Sequence, residues 1–418
     1  MKNNTKDMLG RVQLTPVEEA KALFLKALPE TVLDTESMKI EEALGRITAE
    51  PVIAEENLPT FPRSSMDGYA LSAQDSYGAS ESMPAYIEVT GEVLMGEMPK
   101  GRVEKGCCYK IPTGGIVPDG ADSVVMFEHT VPVDETLIEV VKSVGEGGNI
   151  NRPGDDIAIG ETAIETGTKL RAQELGVLAG LGFAEVKVYR KVRIGVLSTG
   201  DEIINHTEKL TSGKIRNINS ITIAAEASSH AAEITDYGIV SDNKTTFLKT
   251  IEKAVSENDI VIFSGGSSVG MRDLGEQVIE QLGPPGVLVH GTALKPGKPI
   301  ILGMSDTTAL VGLPGHPVSA LTCFNLFVAP AIRQLSGVRT RQQNLPYIEA
   351  TLTRNINSAA GRRDIVRVSL KNHKNSYQAT PVLGKSGSIS VLSKADGYFT
   401  IEEASQGVSE GDTVKVFC

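Results

Sequence analysis

Residues 192–337 alternate between apolar runs of strand length and helical segments, and this alternation constrains the fold most strongly. The run VRIGVLSTGDE predicts a strand and a glycine turn, NSITIAAEASSHAA a helix, and DIVIFSGGSSVG another strand and turn. The last part, HPVSALTCFNLFVAPAIRQLSG, predicts one long helix. Because strands that alternate with helices are joined by right-handed crossovers, we expect a mostly parallel sheet.

The flanking sequence predicts further domains. Helical patterns at 15–28, 40–47 and 171–183 surround a stretch of short alternating strands, and short strands return after residue 338. The chain is therefore expected to be a multidomain α/β protein. Its predicted parts are a helical framework (residues 1–51 and 151–190), an inserted β-rich domain (52–150), an α/β domain (191–337) and a C-terminal β domain (338–418).

Charge and cysteine content exclude some classes of protein. The formal net charge of −11 over 418 residues argues against a general nucleic-acid binder, which would have a basic face. It also means that an anionic ligand must be held by locally placed cations. The four cysteines have no C-x-x-C spacing, and no apolar run of membrane-spanning length is evident. We expect a cytoplasmic protein with no membrane or nucleic-acid partner.

Four loops follow predicted strands and are expected to meet at one edge of the sheet. Ligands of open parallel sheets bind beyond the carboxyl ends of the strands. The loops are 198–202 (STGDE), 264–273 (SGGSSVGMRD), 295–299 (KPGKP) and 313–317 (LPGHP).

Two of these loops are suited to an anion. The turn SGGSS offers backbone N–H groups and hydroxyls to a phosphate, although an ordinary strand-to-helix turn has the same composition. In KPGKP, prolines restrict the backbone around Lys295 and Lys298, so these lysines are stiffly presented cations. The alternative is a pair of solvated surface lysines.

Three acids, Glu202, Asp242 and Asp273, are predicted at the same edge. Carboxylates beside phosphates are best explained by a bridging Mg²⁺, which takes one or two carboxylates together with phosphate oxygens. Asp242 and Asp273 have an alternative role as helix N-caps, whereas Glu202 has none.

Other polar turns leave alternatives open. Asp67 lies in FPRSSMDGYAL, and Asp155 and Asp156 lie in NRPGDDIAIG; each of these turns is equally compatible with a plain solvent-facing position. A lone histidine between prolines, such as His316, more often caps a helix or faces solvent than acts as a catalytic base.

Taken together and in order, the motifs resemble one family. FPRSSMDGYA, PTGG, ADSVVM, NRPGDDI, STGDE, SGGSSVG, LKPGKP, LPGHPVS and GRRDIVR are similar to those of the molybdopterin molybdenumtransferases, called MoeA in bacteria and related to the E domains of gephyrin and plant Cnx. The resemblance runs from near residue 10 to the C-terminus. It implies a helical framework with an inserted β-rich domain, a parallel-sheet molybdopterin-binding α/β domain and a C-terminal β-barrel-like domain.

The resemblance also implies an activity and partners. Molybdate is inserted into adenylylated molybdopterin, molybdopterin-AMP, which releases AMP and the molybdenum cofactor with Mg²⁺ required. Family members are homodimers with the site at the subunit interface. Further partners implied are the molybdopterin adenylyltransferase and molybdoenzyme maturation proteins.

Site residues carry over by motif. Lys295 and Lys298 are implied to hold molybdate or the phosphoanhydride, with Arg362 and Ser388 near molybdate. Glu202, Asp242 and Asp273 are implied to hold metal or position water, and Glu202, Asp273 and the two lysines to be catalytic. Asp67, Asp155 and Asp156 are implied to come from the facing domain, in the partner subunit. The remaining expected substrate-binding residues are Ser198, Thr199, Gly200, Ser264, Gly265, Gly266, Ser268, Pro314, Gly315, Pro317 and Ser319.

The sequence departs from the family pattern at three places. Pro62-Arg63 stands where many members have Asp-Asn, Asn217 where Asp is common, and His316 where Asn is usual. Three alternatives to the molybdate-inserting activity stay open. They are an adenylyltransferase that uses ATP, against which the extra domains argue, a gephyrin-like scaffold, and insertion of tungstate instead of molybdate.

Overall fold

The computed structural model describes residues 14–29, 33–265, 269–339, 346–373 and 376–418, with the backbone alone for 269–273. Up to residue 190 it contains helices α1 and α2 and strands β1 to β12. The helices are α1 (Val17–Ala27) and α2 (Ala172–Gly180); the strands are β1 (Thr35–Lys39), β2 (Val52–Ile53), β3 (Arg63–Ser64), β4 (Gly68–Leu71), β5 (Ala85–Glu92), β6 (Cys107–Ile111), β7 (Ser123–Met126), β8 (Thr130–Pro132), β9 (Leu137–Val140), β10 (Ile150–Asn151), β11 (Thr162–Ile164) and β12 (Glu185–Tyr189).

The β-rich segment leaves and rejoins the chain at one place. Strands β4 to β9 form one six-stranded sheet in the order β7-β4-β6-β5-β9-β8. Its entering and leaving segments run antiparallel, because β2 pairs with β11 and β3 with β10. The two ends of this segment are therefore held side by side.

The region around this insertion is less helical than predicted. Of the pattern at 40–47, only Ile40–Glu42 is helical, and it is a single 3₁₀ turn. Gly45 has φ of 78°, a left-handed conformation that an α-helix cannot continue through. Helix α1 packs on the α/β sheet instead, because Val17, Ala20 and Phe24 on one of its faces are buried in that core.

Strands and helices alternate through residues 191–337, called here the α/β part. Its elements are strands β13 (Arg193–Thr199), β14 (Ile203–Ile204), β15 (Ile215–Arg216), β16 (Glu233–Val240), β17 (Ile260–Gly265), β18 (Pro285–His290), β19 (Leu294–Lys295), β20 (Ile301–Ser305) and β21 (Thr308–Leu313), and helices α3 (Asn219–Ser229), α4 (Lys244–Glu257), α5 (Val269–Gln281), α6 (Pro317–Cys323) and α7 (Ala329–Leu335).

The central sheet is mixed rather than uniformly parallel. Its order is β16-β13-β17-β21-β20-β18, and the pairs among the first four strands are parallel. Strands β20 and β21 are joined by a tight turn at Asp306, where φ is 50°, so they pair antiparallel, as do β18 and β20. Consequently β20 begins at the edge where the parallel strands end.

Helices α6 and α7 are continuous through a π-helical segment, Phe324–Val328. The resulting helix, Pro317–Leu335, has a mean hydropathy of 1.3 over its best 18-residue window, which is enough for a membrane span by composition. However, 67% of that window is buried inside the protein, as expected for a core helix.

The C-terminal part is a curled sheet. Its strands are β22 (Ile348–Leu352), β23 (Ile356–Asn357), β24 (Arg363–His373), β25 (Ser376–Pro381), β26 (Gly397–Ile401), β27 (Gly407–Val408) and β28 (Thr413–Val416), with helix α8 (Ser390–Ser393). The order is β19-β24-β25-β22-β28, with β26 paired to β24. Strand β19 of the α/β part thus extends this sheet, which ties the two parts together next to Lys295.

Candidate functional site

A cavity of about 1340 Å³ lies between the carboxyl edge of the α/β sheet and the C-terminal part. All four predicted loops contribute to the lining, through Thr199 at the end of β13, Gly265, residues 295–299 and residues 313–316. The loops at the ends of β13, β17 and β21 meet here because these strands are parallel neighbours. The KPGKP loop reaches the same edge because it precedes the antiparallel strand β20.

The cavity is electropositive although the chain is acidic. Among the described residues, its lining holds five cationic side chains (Lys295, Lys298, Arg362, Arg367 and Lys385) and one carboxylate, Asp364. Cations grouped on low-dielectric walls raise the local potential and attract anions. This geometry suits a ligand with several negative charges.

The strand ends contribute hydroxyl groups and glycine. Thr199 is fully buried, and its Oγ1 has no hydrogen-bond partner, which leaves it available to a ligand in the cavity. Ser198 and Ser264, by contrast, are buried within the sheet and do not line the cavity. The Ser198 hydroxyl donates to Asn217 Oδ1 at 3.0 Å, and Asn217 Oδ1 also accepts from the Ser220 N–H at 3.2 Å. Asn217 therefore anchors the start of α3.

The KPGKP loop is held rigid by its glycine. Gly297 has φ of 131° and is buried against the helix below, where the Cys323 thiol lies 3.4 Å from the Gly297 carbonyl oxygen. A Cβ at this position would lie 2.6 Å from Leu294 Cδ2 and 2.8 Å from Cys323 Sγ. Only glycine fits, so the loop is pinned between the two lysines that it carries.

Lys295 and Arg362 share one buried carboxylate. Arg362 Nε donates to Asp364 Oδ1 at 2.8 Å, and Lys295 Nζ lies 3.3 Å from Oδ2. Lys295 and Asp364 are opposite each other in the β19–β24 pairing, so the main chain itself sets their distance. Arg362 lies in the bend just before β24, and its side chain turns to the same side as that of Asp364, the second residue of that strand.

A second set of contacts joins the α/β part to the C-terminal part in the cavity wall. Ser386 Oγ lies 2.8 Å from His316 Nδ1, and the Val318 N–H donates to the Ser386 carbonyl at 3.1 Å. This links the LPGHP loop to the GKSGS loop of the C-terminal part. His316 is at the N-cap position of α6, but its side chain makes no capping hydrogen bond.

The predicted acids form a separate group beside the cavity. The Asp242 N–H donates to Asp201 Oδ1 at 3.3 Å, and the Glu202 carboxylate folds over Gly200. Burial, followed by repulsion from Asp201 and Glu202, raises the pKa of Asp242 above its usual value. Neither Glu202, Asp242 nor Gly200 is in the lining, and the described residues contain no three-ligand metal cluster.

Both proposed capping roles for the acids are wrong. Helix α4 is capped by Asn243, whose side chain accepts from the N–H groups of Thr245 and Thr246. Asn243 takes this role because it immediately precedes the first helical residue. Helix α5 begins at Val269, so Asp273 falls inside the helix rather than at its start.

The structure brings together about half of the predicted site. The cavity is lined by Thr199, Gly265, Lys295, Lys298, Pro314, Gly315, Ser319, Arg362 and Ser388. Pro317 is buried just below it. Gly266, Ser268 and the Asp273 side chain lie outside the described residues.

Three acids of the N-terminal part do not reach this cavity within one chain. Asp67 is exposed, and its Oδ1 accepts from the Thr113 N–H at 2.7 Å. Asp155 and Asp156 are also exposed, and Asp155 Oδ2 accepts from the Arg152 N–H at 2.6 Å. These bonds shape the turns and leave the carboxylates at the surface.

Sequence reasoning missed Asp364, Arg367, Lys385 and Ser386. One signal for Asp364 was present, since an acid in the apolar strand pattern DIVRVSL must either interrupt the strand or be paired. Arg367 stacks on the Tyr398 ring, with its Cζ 5.1 Å from the centroid. No sequence pattern indicated that this arginine lies in the cavity wall.

Comparison with known proteins agrees with this architecture. Residues 15–182 match the MoeA N-terminal region (domain I and II), residues 195–334 a probable molybdopterin binding domain, and residues 349–417 the MoeA C-terminal region (domain IV). A molybdopterin molybdenumtransferase of Haemophilus influenzae is 34% identical, with 96% of this chain and 97% of that protein covered. A molybdopterin molybdenumtransferase of Bacillus subtilis is 31% identical, with 92% of this chain and 89% of that protein covered.

A solved structure of the same kind also matches. The MoeA protein of Pyrococcus horikoshii superposes with a TM-score of 0.83 at 32% identity, covering 96% of this chain and 99% of that one. Three adjoining family matches, relatives above 30% identity and a fold shared over nearly the full length lead to one conclusion. The chain belongs to the MoeA family of molybdopterin molybdenumtransferases.

Proposed function

We propose that this protein inserts molybdate into adenylylated molybdopterin and releases AMP and the molybdenum cofactor. The observation that carries the proposal is the cavity with five cations and one carboxylate in a chain of net charge −11. Both substrates are anionic, one a compact dianion and the other a phosphoanhydride. A cation-lined cavity of about 1340 Å³ has room for both.

The lysines and the arginine act by positioning and charge neutralisation. Lys295 and Arg362 form one cationic pair around Asp364 and are suited to hold molybdate. Lys298, three residues on, is suited to the phosphoanhydride, and Thr199 Oγ1 and Gly265 to the phosphate end. Holding two anions in contact removes most of the entropic barrier to their reaction. No covalent bond to the protein is needed.

The acidic group fits a magnesium ion. The Asp242 N–H contacts Asp201 Oδ1, Glu202 is next in the chain, and all three residues carry hard oxygen donors. Burial, followed by repulsion from Asp201 and Glu202, raises the pKa of Asp242. Mg²⁺ takes one or two protein carboxylates together with phosphate oxygens and water, so a complete protein cage is not required. Bound there, Mg²⁺ would neutralise charge on the anhydride and make AMP a better leaving group.

We further propose that the protein works as a homodimer in the cytoplasm. The exposed positions of Asp67, Asp155 and Asp156 support this, because a second copy could present these acids to the cavity. The adenylylated substrate would come from a molybdopterin adenylyltransferase, and the product would pass to molybdoenzyme maturation proteins.

The direct test follows AMP release from adenylylated molybdopterin with molybdate and Mg²⁺. We expect release that depends on molybdate and is abolished by Lys298→Ala, because that variant loses a cation on the anhydride. The matched control is Lys249→Ala, an exposed lysine on α4 outside the cavity, which should behave as wild type. Pyrophosphate release from ATP and molybdopterin, with no molybdate-dependent AMP, would support an adenylyltransferase instead.

A further inference from the structure

Asp364 is a buried carboxylate that touches both cations proposed to hold molybdate. Its side chain is 5% exposed, whereas those of Lys295 and Arg362 are 56% and 36% exposed. A buried charge is costly unless it is paired, and Asp364 is paired only with these two groups among the described residues. For stability alone, a neutral residue of equal size at this position would avoid the desolvation cost.

Its contacts determine which donors remain for a ligand. Asp364 takes the Nε edge of the Arg362 guanidinium, with Nη2 3.4 Å from Oδ2, and shares Oδ2 with Lys295 Nζ. A guanidinium bound along one edge is fixed in its plane, so its other edge has a defined direction. The Lys295 ammonium group contacts Asp364 Oδ2, so one carboxylate orients both cations.

We propose that Asp364 is the positioning residue of the oxyanion site, which locks Lys295 and Arg362 into one preorganised cation pair. The two cations come from different parts of the molecule: Lys295 is in strand β19 of the α/β part, and Arg362 immediately precedes strand β24. Asp364 joins them across the β19–β24 pairing. This inference rests on the proposed function for the identity of the oxyanion. Preorganised donors bind an anion more tightly than mobile ones, since less order is lost on binding.

The test compares Asp364→Asn with wild type by calorimetric titration of molybdate alone and by thermal unfolding. We expect the molybdate dissociation constant to rise at least tenfold while the melting temperature stays equal or increases, because Asn keeps the size and removes a buried charge. The KM for molybdate should rise more than kcat falls. The control is Asp396→Asn, whose carboxylate accepts from the Leu370 N–H outside the cavity.

A double variant tests whether Asp364 acts on molybdate binding through Arg362. In an Arg362→Ala background, Asp364→Asn should weaken molybdate binding by clearly less than tenfold, because one of the two groups that it positions is gone. Unchanged molybdate affinity in Asp364→Asn overturns the inference, as does a loss that tracks a fall in melting temperature. Wild-type protein that binds no molybdate also overturns it. Failure of the proposed function is a different result: molybdate binds, but no AMP is released.

Discussion

Gly297 is the residue on which the geometry of the two loop lysines depends. It lies between Lys295 and Lys298, has a left-handed φ and packs directly on Leu294 and Cys323. The prolines next to it restrict the loop, but prolines alone do not decide which way the lysines face. The close contact with the helix below decides that, and it requires a residue without a side chain.

Replacing this glycine should disable the site without touching a charge. We expect Gly297→Ala to lower the free energy of unfolding by about 1–3 kcal/mol, because both its φ and its contacts are incompatible with a Cβ. Molybdate-dependent AMP release should fall by roughly tenfold or more, since a displacement of about 1 Å is enough to misplace the lysines. Chemical denaturation and the AMP assay measure the two effects.

The matched glycine is Gly176 in helix α2, where a Cβ meets open space. Gly176→Ala should stabilise the protein by about 0.5–1 kcal/mol, the usual gain within a helix, and leave AMP release unchanged. If Gly297→Ala behaved like this control, the lysines would not depend on the loop's packing.

At the scale of elements, strand β24 connects three parts of the molecule through alternating side chains. Asp364 on β24 and Arg362 just before it line the cavity, whereas Arg363, the first residue of the strand, points away from it. Arg363 Nη1 donates to Glu18 of α1 at 2.6 Å, and its Nη2 donates to Glu402 at 2.6 Å. The start of β24 thereby places Asp364 at the cavity on one side and ties the N-terminal helix to the C-terminal sheet on the other.

Replacing Arg363 should make the stability of the fold less dependent on pH in the acid range. Hydrogen bonding from Arg363 lowers the pKa of Glu18 below its usual 4.5, so the pairing stabilises the fold fully above that pH. The contribution is lost as the pH falls through the lowered value. Arg363→Ala should lower the free energy of unfolding by about 1–3 kcal/mol at neutral pH. Between about pH 5 and pH 3 its melting temperature should fall less than that of wild type.

The control for this variant is Arg354→Ala, an exposed arginine in the same C-terminal part. It should change stability by no more than about 0.5 kcal/mol and keep the wild-type pH profile. Parallel pH profiles for Arg363→Ala and wild type would mean that the ion pairs with α1 do not contribute to stability.

At the scale of the whole molecule, the position of Asp67 in the N-terminal part determines whether one chain alone can form a complete site. Asp67 and Lys298 are both expected at the reacting centre, yet only Lys298 lines the cavity of a single chain. If a second copy provides Asp67, two inactive variants that are damaged in different parts can restore each other. In a mixed dimer, one of the two sites then receives both intact residues.

We therefore expect complementation between Asp67→Asn and Lys298→Ala. Each alone should release almost no AMP, and an equal mixture that has been dissociated and reassembled should recover about a quarter of wild-type activity, since half of the dimers are mixed. The control mixture is Lys298→Ala with Lys295→Ala, which lie in one loop and should not complement. No recovery in the first mixture would indicate that each site is built from one chain.

The alternating strands and helices were predictable because each signal is local. Strands β13, β16, β17 and β21 follow from apolar runs that end in glycine or turn residues. Because these strands pair in parallel, the loops after β13, β17 and β21 meet at one edge of the sheet. The caps of α4 and α5 were not predictable to the residue. Asn243 and Asp242 are equally good capping residues by type, and only the backbone geometry selects one.

The sequence by itself determined the α/β pattern, the family through its ordered motifs, and the identity of the two lysines and Arg362 as candidate anion ligands. The pattern and the two lysines follow from residue type and spacing along the chain, whereas the family and the role of Arg362 follow from the resemblance of the ordered motifs. Only the tertiary structure decided that Asp364 joins Lys295 to Arg362, that Arg367 and Lys385 line the same cavity, and that Asp67, Asp155 and Asp156 stay outside it. These facts depend on contacts between residues far apart in the chain, such as the β19–β24 pairing, and no local pattern encodes them.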